Sequence, residues 1–172
     1  MKVLKFLLVA LVVLVAVFVG LGFAIPQIDY TVTVDIDRPV DEVWDAFQDP
    51  ERATVWISGL KSIELVSGEK HAEGSKYRMT FVEEDKTIVV DETIQTVVPN
   101  ERFVFTTMAE GMGMLADTTF TPNATGTSIT SNVTMTGDGV FMRGMLPLMK
   151  GMISERQQGD LTALKALVEN DA

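Results

Sequence analysis

Hydrophobic and polar positions along this chain change period several times, and each change marks an element. Phe6–Ile25, FLLVALVVLVAVFVGLGFAI, is twenty residues without a charge or a strongly polar group. As a helix it spans about 30 Å, the thickness of a bilayer core. Ile28–Asp37 then alternates residue by residue. Ile28, Tyr30, Val32, Val34 and Ile36 share one face; Asp29, Thr31, Thr33, Asp35 and Asp37 share the other. A period of two predicts a half-buried strand with one wet face. In Pro39–Phe47 the residues Val40, Val43, Trp44 and Phe47 fall at i, i+3, i+4 and i+7, the spacing of a short amphipathic helix. Pro39 suits its first position, Asp41 and Glu42 suit the positive end of its dipole, and Arg38 is left as a weak cap. Asp49-Pro50 stops this helix, and Glu51–Ile57 predicts a second short one.

From there to residue 136 the signals are strands and turns. Lys61–Val66 ends at Ser67-Gly68, and Ser75–Glu83 alternates with Tyr77, Met79 and Phe81 opposed to Lys76, Arg78 and Thr80. After the polar turn at Glu83–Lys86, Thr87–Val98 is rich in β-branched residues and closes at Pro99-Asn100. Arg102–Ala109, Met114–Phe120 and Thr127–Thr136 complete the set. Strands joined by short turns pair antiparallel.

The period changes once more after Gly137-Asp138-Gly139. Met142, Met145, Met149, Met152, Ile153, Leu161, Leu164 and Val168 recur mostly three or four apart, so Gly139–Glu169 predicts a long closing helix. Its first half is faced with methionine and its second with leucine and valine. Pro147 would cost a straight helix about 3 kcal/mol. It therefore predicts a break with a mobile lid segment, or a start of the main helix at Pro147 itself. The order strand, two short helices, six strands, long helix is an α+β pattern in which a curved sheet covers one dominant helix.

Charge narrows the partners. The formal net charge is −10, and setting aside Lys2 and Lys5 of the first 26 residues leaves −12 on residues 27–172. That acidity argues against nucleic acid, whose phosphates need clustered Lys and Arg. It also disfavours docking of the domain on an anionic lipid surface. With no cysteine there are no disulfides, thiolate metal sites or cysteine nucleophiles. The apolar run is longer than the core of a cleaved signal peptide, although Gly22-Phe23-Ala24 resembles a cleavage site. We read residues 1–26 as an uncleaved single-pass anchor and 27–172 as one domain. Lys2 and Lys5 before the run, and Asp29, Asp35 and Asp37 after it, place the N-terminus in the cytoplasm and the domain outside it.

Candidate chemistry is sparse. No Gly-x-Ser-x-Gly elbow, phosphate loop or metal-ligand spacing is present, so no cofactor or metal is expected. His71, the single histidine, sits in Gly68–Gly74 and reads as a solvated loop residue. Asp91 and Glu92 are neighbours on a strand and so face opposite sides; the one turned inward would have a raised pKa and serve as an acid or base. Asp117 is a similar candidate, and each of the three is expected on the wet face. Methionine is the compositional anomaly: ten in all, eight of them from Met108 onward. They fit core packing, an adaptable apolar pocket or, by their thioethers alone, a soft-metal site.

The element order, together with DRPVDEVWDAFQDPERATVWI near the start and a terminal helix ending in LTALKALVE, resembles the START-like superfamily, also called the SRPBCC or polyketide cyclase/dehydrase group. The resemblance covers residues 28–169. It implies a helix-grip fold, a seven-stranded antiparallel sheet around the C-terminal helix with a hydrophobic cavity between them. Members bind lipids, sterols, polyketides or other apolar molecules, and a minority are enzymes. With that layout the residues expected at a ligand are Trp56, Phe81, Met108, Met114, Met135, Met142, Met145, Met149 and Met152. The function so implied is a membrane-anchored domain that holds a lipid or other small hydrophobic molecule. The alternatives are a cyclase-, dehydratase- or hydrolase-type enzyme using an inward carboxylate, and a ligand-free module that docks another envelope protein.

Overall fold

A computed structural model describes residues 2–84 and 86–170. The first helix, α1 (Lys2–Ala24), is followed by β1 (Gln27–Ile36), α2 (Val40–Gln48) and α3 (Pro50–Trp56). Six strands come next: β2 (Leu60–Ser67), β3 (Lys76–Glu83), β4 (Lys86–Val98), β5 (Arg102–Ala109), β6 (Met112–Pro122) and β7 (Thr127–Gly137). The long helix α4 (Gly139–Asn170) closes the chain. All strands join one antiparallel sheet in the order β1-β7-β6-β5-β4-β3-β2. The fold is therefore α+β with a helix gripped by a seven-stranded sheet, as the pattern predicts. Helix α2 starts at Val40 with Pro39 as its cap and no side-chain cap bond, one residue later than the sequence suggests.

The predicted alternation of β1 is kept without a fault, every second residue from Ile28 to Ile36 being buried. These side chains meet Leu146, Leu161, Leu164 and Val168 on the inner face of α4. Trp44 and Phe47 of α2 pack edge-on against Phe120, each at 5.1 Å between ring centroids, and close the far end of the core. As an edge strand β1 leaves backbone groups unpaired, and an uncovered edge invites pairing with another chain. Here α4 covers it with polar side chains. Gln158 Nε2 donates to Thr33 O at 3.0 Å, Lys165 Nζ donates to Asp35 O at 2.6 Å, and the Asp37 amide donates to Glu169 at 2.8 Å.

Helix α4 runs unbroken through Pro147, so neither the predicted break nor a fresh start at that residue occurs. Buried Gly144 and Leu146, just before the proline, hold this stretch against neighbouring elements, and tertiary packing overrides the local penalty. The lid that a break would have created is absent. The same stretch crosses α1 at close range. A Cβ on Gly22 would overlap the Val140 carbonyl, and one on Gly144 would lie 2.9 Å from the Phe18 carbonyl oxygen. Two glycines thus let the backbones touch, and Phe18 stacks at a tilt on Phe141 at 5.5 Å. Before Phe18, α1 is exposed on all sides, and it is long and apolar enough to cross a membrane.

Candidate functional site: an apolar cavity with unpartnered polar groups

Sheet curvature leaves a cavity of about 330 Å³ between the strands, α3 and the middle of α4. Tyr77, Met79 and Phe81 of β3, Val90 and Ile94 of β4, and Phe103 and Phe105 of β5 form most of its floor. Ala53, Trp56 and Ile57 roof one side; Ile153, Gln157 and Leu161 of α4 roof the other.

The register explains which side chains meet inside. Met135, Met114, Thr107, Glu92 and Tyr77 are successive cross-strand partners on β7, β6, β5, β4 and β3, and so make one row on the inner face. Glu92 lies in that row and lines the cavity. Among the described residues it has no hydrogen-bond partner and no cation, and desolvation pushes its pKa up from 4.5 to about 7. Its neighbour Asp91 points the other way and takes a 3.0 Å bond from Arg78.

Further polar atoms in the wall are equally unserved. Trp56 Nε1, His71 Nε2 and Gln157 Oε1 are buried with no partner among the described residues. The Tyr30 hydroxyl is pushed up to about 12 by burial. Ser131 is better placed: its Oγ takes a 3.0 Å bond from Thr118, with the Gln157 amide at 3.5 Å. His71 is held by its own amide, which donates to the Tyr77 hydroxyl at 2.9 Å, and its backbone is left-handed with φ 58°. Burial and Lys70 lower its pKa, so its ring is neutral near pH 7. Buried polar groups normally find partners, so several orphans converging on one cavity indicate where a ligand's polar atoms would be received.

One rim of the cavity is tied shut by charge. Asp160 accepts from the Ser58 amide at 3.0 Å and from its hydroxyl at 2.6 Å. Arg156 donates to Ser58 O at 2.7 Å and pairs with Glu83. These contacts fasten the loop after α3 to α4 and to the end of β3.

Of the residues predicted at the ligand, Trp56, Phe81 and Met114 line the cavity. Met135 is buried beside Met114 in the core, outside the cavity wall. Met108 alternates to the outer face of β5 and is 57% exposed. Met142, Met145 and Met149 are half-buried and Met152 is 62% exposed; none of the four reaches the cavity. The expected division of α4 is thus corrected. Its lining begins only at Ile153, because the preceding turns project past the sheet toward α1. Glu92 and His71, expected to be solvated, are among the polar groups of the wall. Asp117 does lie outside, where the bidentate hydrogen bonds of Arg102 at 2.8 and 2.7 Å hold its carboxyl below the usual range. Exposed pairs of this kind contribute little. Asp117→Asn should lower the unfolding free energy by less than about 1 kcal/mol in denaturant titration.

The family described as polyketide cyclase/dehydrase and lipid transport matches residues 27–169, the sheet, α2, α3 and α4 together. The chain belongs to that family. Solved structures of the same fold agree with the assignment. Ara h 8.0201 has a TM-score of 0.71 at 19% identity, covering 83% of this chain and 97% of that one. Protein CV1439 from Chromobacterium violaceum has 0.64 at 21%, covering 83% and 98%. Protein SA2116 from Staphylococcus aureus has 0.69 at 13%, covering 84% and 95%. Among curated protein sequences none matches the chain significantly. The family's shared fold points to an apolar ligand in the cavity between sheet and helix. Helix α1 lies outside the matched range and belongs to this chain rather than to the shared fold.

Proposed function

We propose that this protein is a single-pass membrane protein whose residues 27–172 hold a small hydrophobic molecule at the bilayer surface. The observation that carries the reading is an apolar cavity of about 330 Å³ lined by the half-buried Glu92 carboxyl, which has no partner among the described residues. Its aromatic and aliphatic walls favour an apolar body at about 25 cal/mol per Å² buried. Glu92, Gln157 and the indole of Trp56 favour a ligand with at least one hydroxyl, carbonyl or amine. Trp56, Phe81 and Met114 are then the predicted residues that touch it. The apolar length of α1, and Lys2 and Lys5 at its N-terminal end, support an anchor with a cytoplasmic N-terminus and an extracytoplasmic domain.

The test is extraction. Full-length protein and a Val90→Trp variant, which projects an indole into the cavity, are purified in parallel, and their organic extracts are compared by mass spectrometry. An apolar molecule retained at stoichiometric level by the first and lost from the second is the expected result. Identical extracts from two folded proteins would remove the proposal. The inward, near-neutral carboxyl also favours a second reading, acid–base catalysis on a bound apolar substrate, with Glu92 as the proton carrier. It requires turnover that Glu92→Gln abolishes while leaving ligand retention in place.

A further inference from the structure

The methionine-rich first half of α4 contributes nothing to the cavity and presents a surface of its own. Phe141, Leu148 and Met152 lie seven and then four residues apart, on one face of the helix, and are 69, 67 and 62% exposed. This stripe starts where α1 docks, at the Phe18–Phe141 contact and the Gly22–Gly144 crossing. It is therefore continuous with the apolar flank of α1. Its charge is also unlike that of the rest of the domain. From Gly139 to Ser154 there is no acid, only Arg143 and Lys150, within residues that together carry −12.

We propose that this face of α4 is a second membrane-contacting surface, seated in the headgroup and acyl boundary of the leaflet from which α1 emerges. Phe141, Leu148 and Met152 enter the acyl region, and the net positive charge of the segment, from Arg143 and Lys150, draws it toward anionic headgroups. The inference rests on reading α1 as a membrane helix. Amphipathic segments with an apolar stripe and basic flanks bind interfaces in this way, each basic residue adding attraction to anionic headgroups. A second copy of the chain is a poorer occupant. Two such faces packed together would compete with α1, which already holds the start of the stripe at Phe141. Met152 directly precedes Ile153 in the cavity wall, so the lipid-facing stripe ends where the cavity lining begins. That adjacency would let an apolar ligand pass between bilayer and cavity along α4.

The absence of native cysteine makes a direct test clean. Single cysteines are introduced by Val13→Cys in α1, Leu148→Cys and Met152→Cys in α4, and Ala124→Cys in the β6–β7 turn. Each full-length variant is labelled with a nitrobenzoxadiazole fluorophore and reconstituted in phosphatidylcholine–phosphatidylglycerol vesicles. Spin-labelled lipid should quench the labels at 13, 148 and 152 several-fold more than the label at 124, which aqueous iodide should reach instead. Quenching by lipid at 13 but by iodide at 148 and 152 would overturn the proposal and leave the anchor in place. Iodide reaching 13 as well would remove the anchor reading and this surface with it. Labels at 148 and 152 shielded from both quenchers would mean a protein covers the stripe, which also overturns it. The contrast should shrink in phosphatidylcholine alone; an unchanged contrast would overturn the role given to anionic headgroups.

Discussion

Glu92→Gln is expected to raise the unfolding free energy by roughly 3 kcal/mol above neutral pH, and to change it little near pH 4. The folded carboxyl is largely desolvated, has no partner among the described residues and holds its proton until about pH 7, against 4.5 for the free group. Between those values the folded state binds more protons than the unfolded state, so stability declines as pH rises. The contribution is fully present below 4.5 and is gone once pH has passed the folded value of about 7. At about 1.4 kcal/mol per unit, the interval corresponds to the stated magnitude. Glutamine keeps the shape and has no proton to lose, so the variant should lack this part of the slope. Urea unfolding followed by tryptophan fluorescence at about pH 4 and about pH 8 measures the difference. Parallel profiles for the two proteins would mean that the carboxyl is solvated or paired in solution. The same group bears on binding. A ligand amine would hold Glu92 ionised and shift the decline to lower pH, whereas a ligand carbonyl would favour the neutral acid.

Leu164→Ala should cost about 2–5 kcal/mol, while Met152→Ala should stay within about 0.5 kcal/mol. Leu164 is fully buried where α4 meets the sheet, and its truncation leaves a void that rigid strands cannot close. Met152 projects outward and its loss exposes nothing new. Denaturant midpoints of the two variants test the corrected division of α4. An equal cost at both positions would return the methionine half to the core.

Much of the architecture was legible because periodicity is a local consequence of which face is wet. The alternation of Ile28–Ile36 and the i, i+3, i+4 spacing of Val40, Val43, Trp44 and Phe47 read directly onto β1 and α2. The position of Glu92 was also within reach, although the expectation set it on the wet face. In Thr87–Val98 β-branched residues occupy both faces, so alternation alone does not orient the strand. The tight turn does: Glu83 pairs with Lys86, and counting back sets Arg78 opposite Asp91 and Tyr77 opposite Glu92. Since Arg78 lies on the polar face of β3, Asp91 must be outside and Glu92 inside. The placement of His71 had no such signal. It follows from a left-handed loop residue and a tyrosine hydroxyl six positions away.

The sequence by itself determined the elements, their antiparallel order, the apolar span of α1 and the family, since all of these follow from patterns within short windows. Only the tertiary structure decided which half of α4 serves the cavity. A helix carries its apolar stripe along its whole length, and the stripe does not say whether sheet, lipid or another helix will cover each turn. Strand curvature and the Gly22–Gly144 crossing settle it by bringing the methionine turns to α1 and leaving Ile153, Gln157 and Leu161 above the cavity. Desolvation of the Glu92 carboxyl is likewise a property of the closed sheet. No residue in β4 desolvates Glu92 until β3, β5 and α4 surround it.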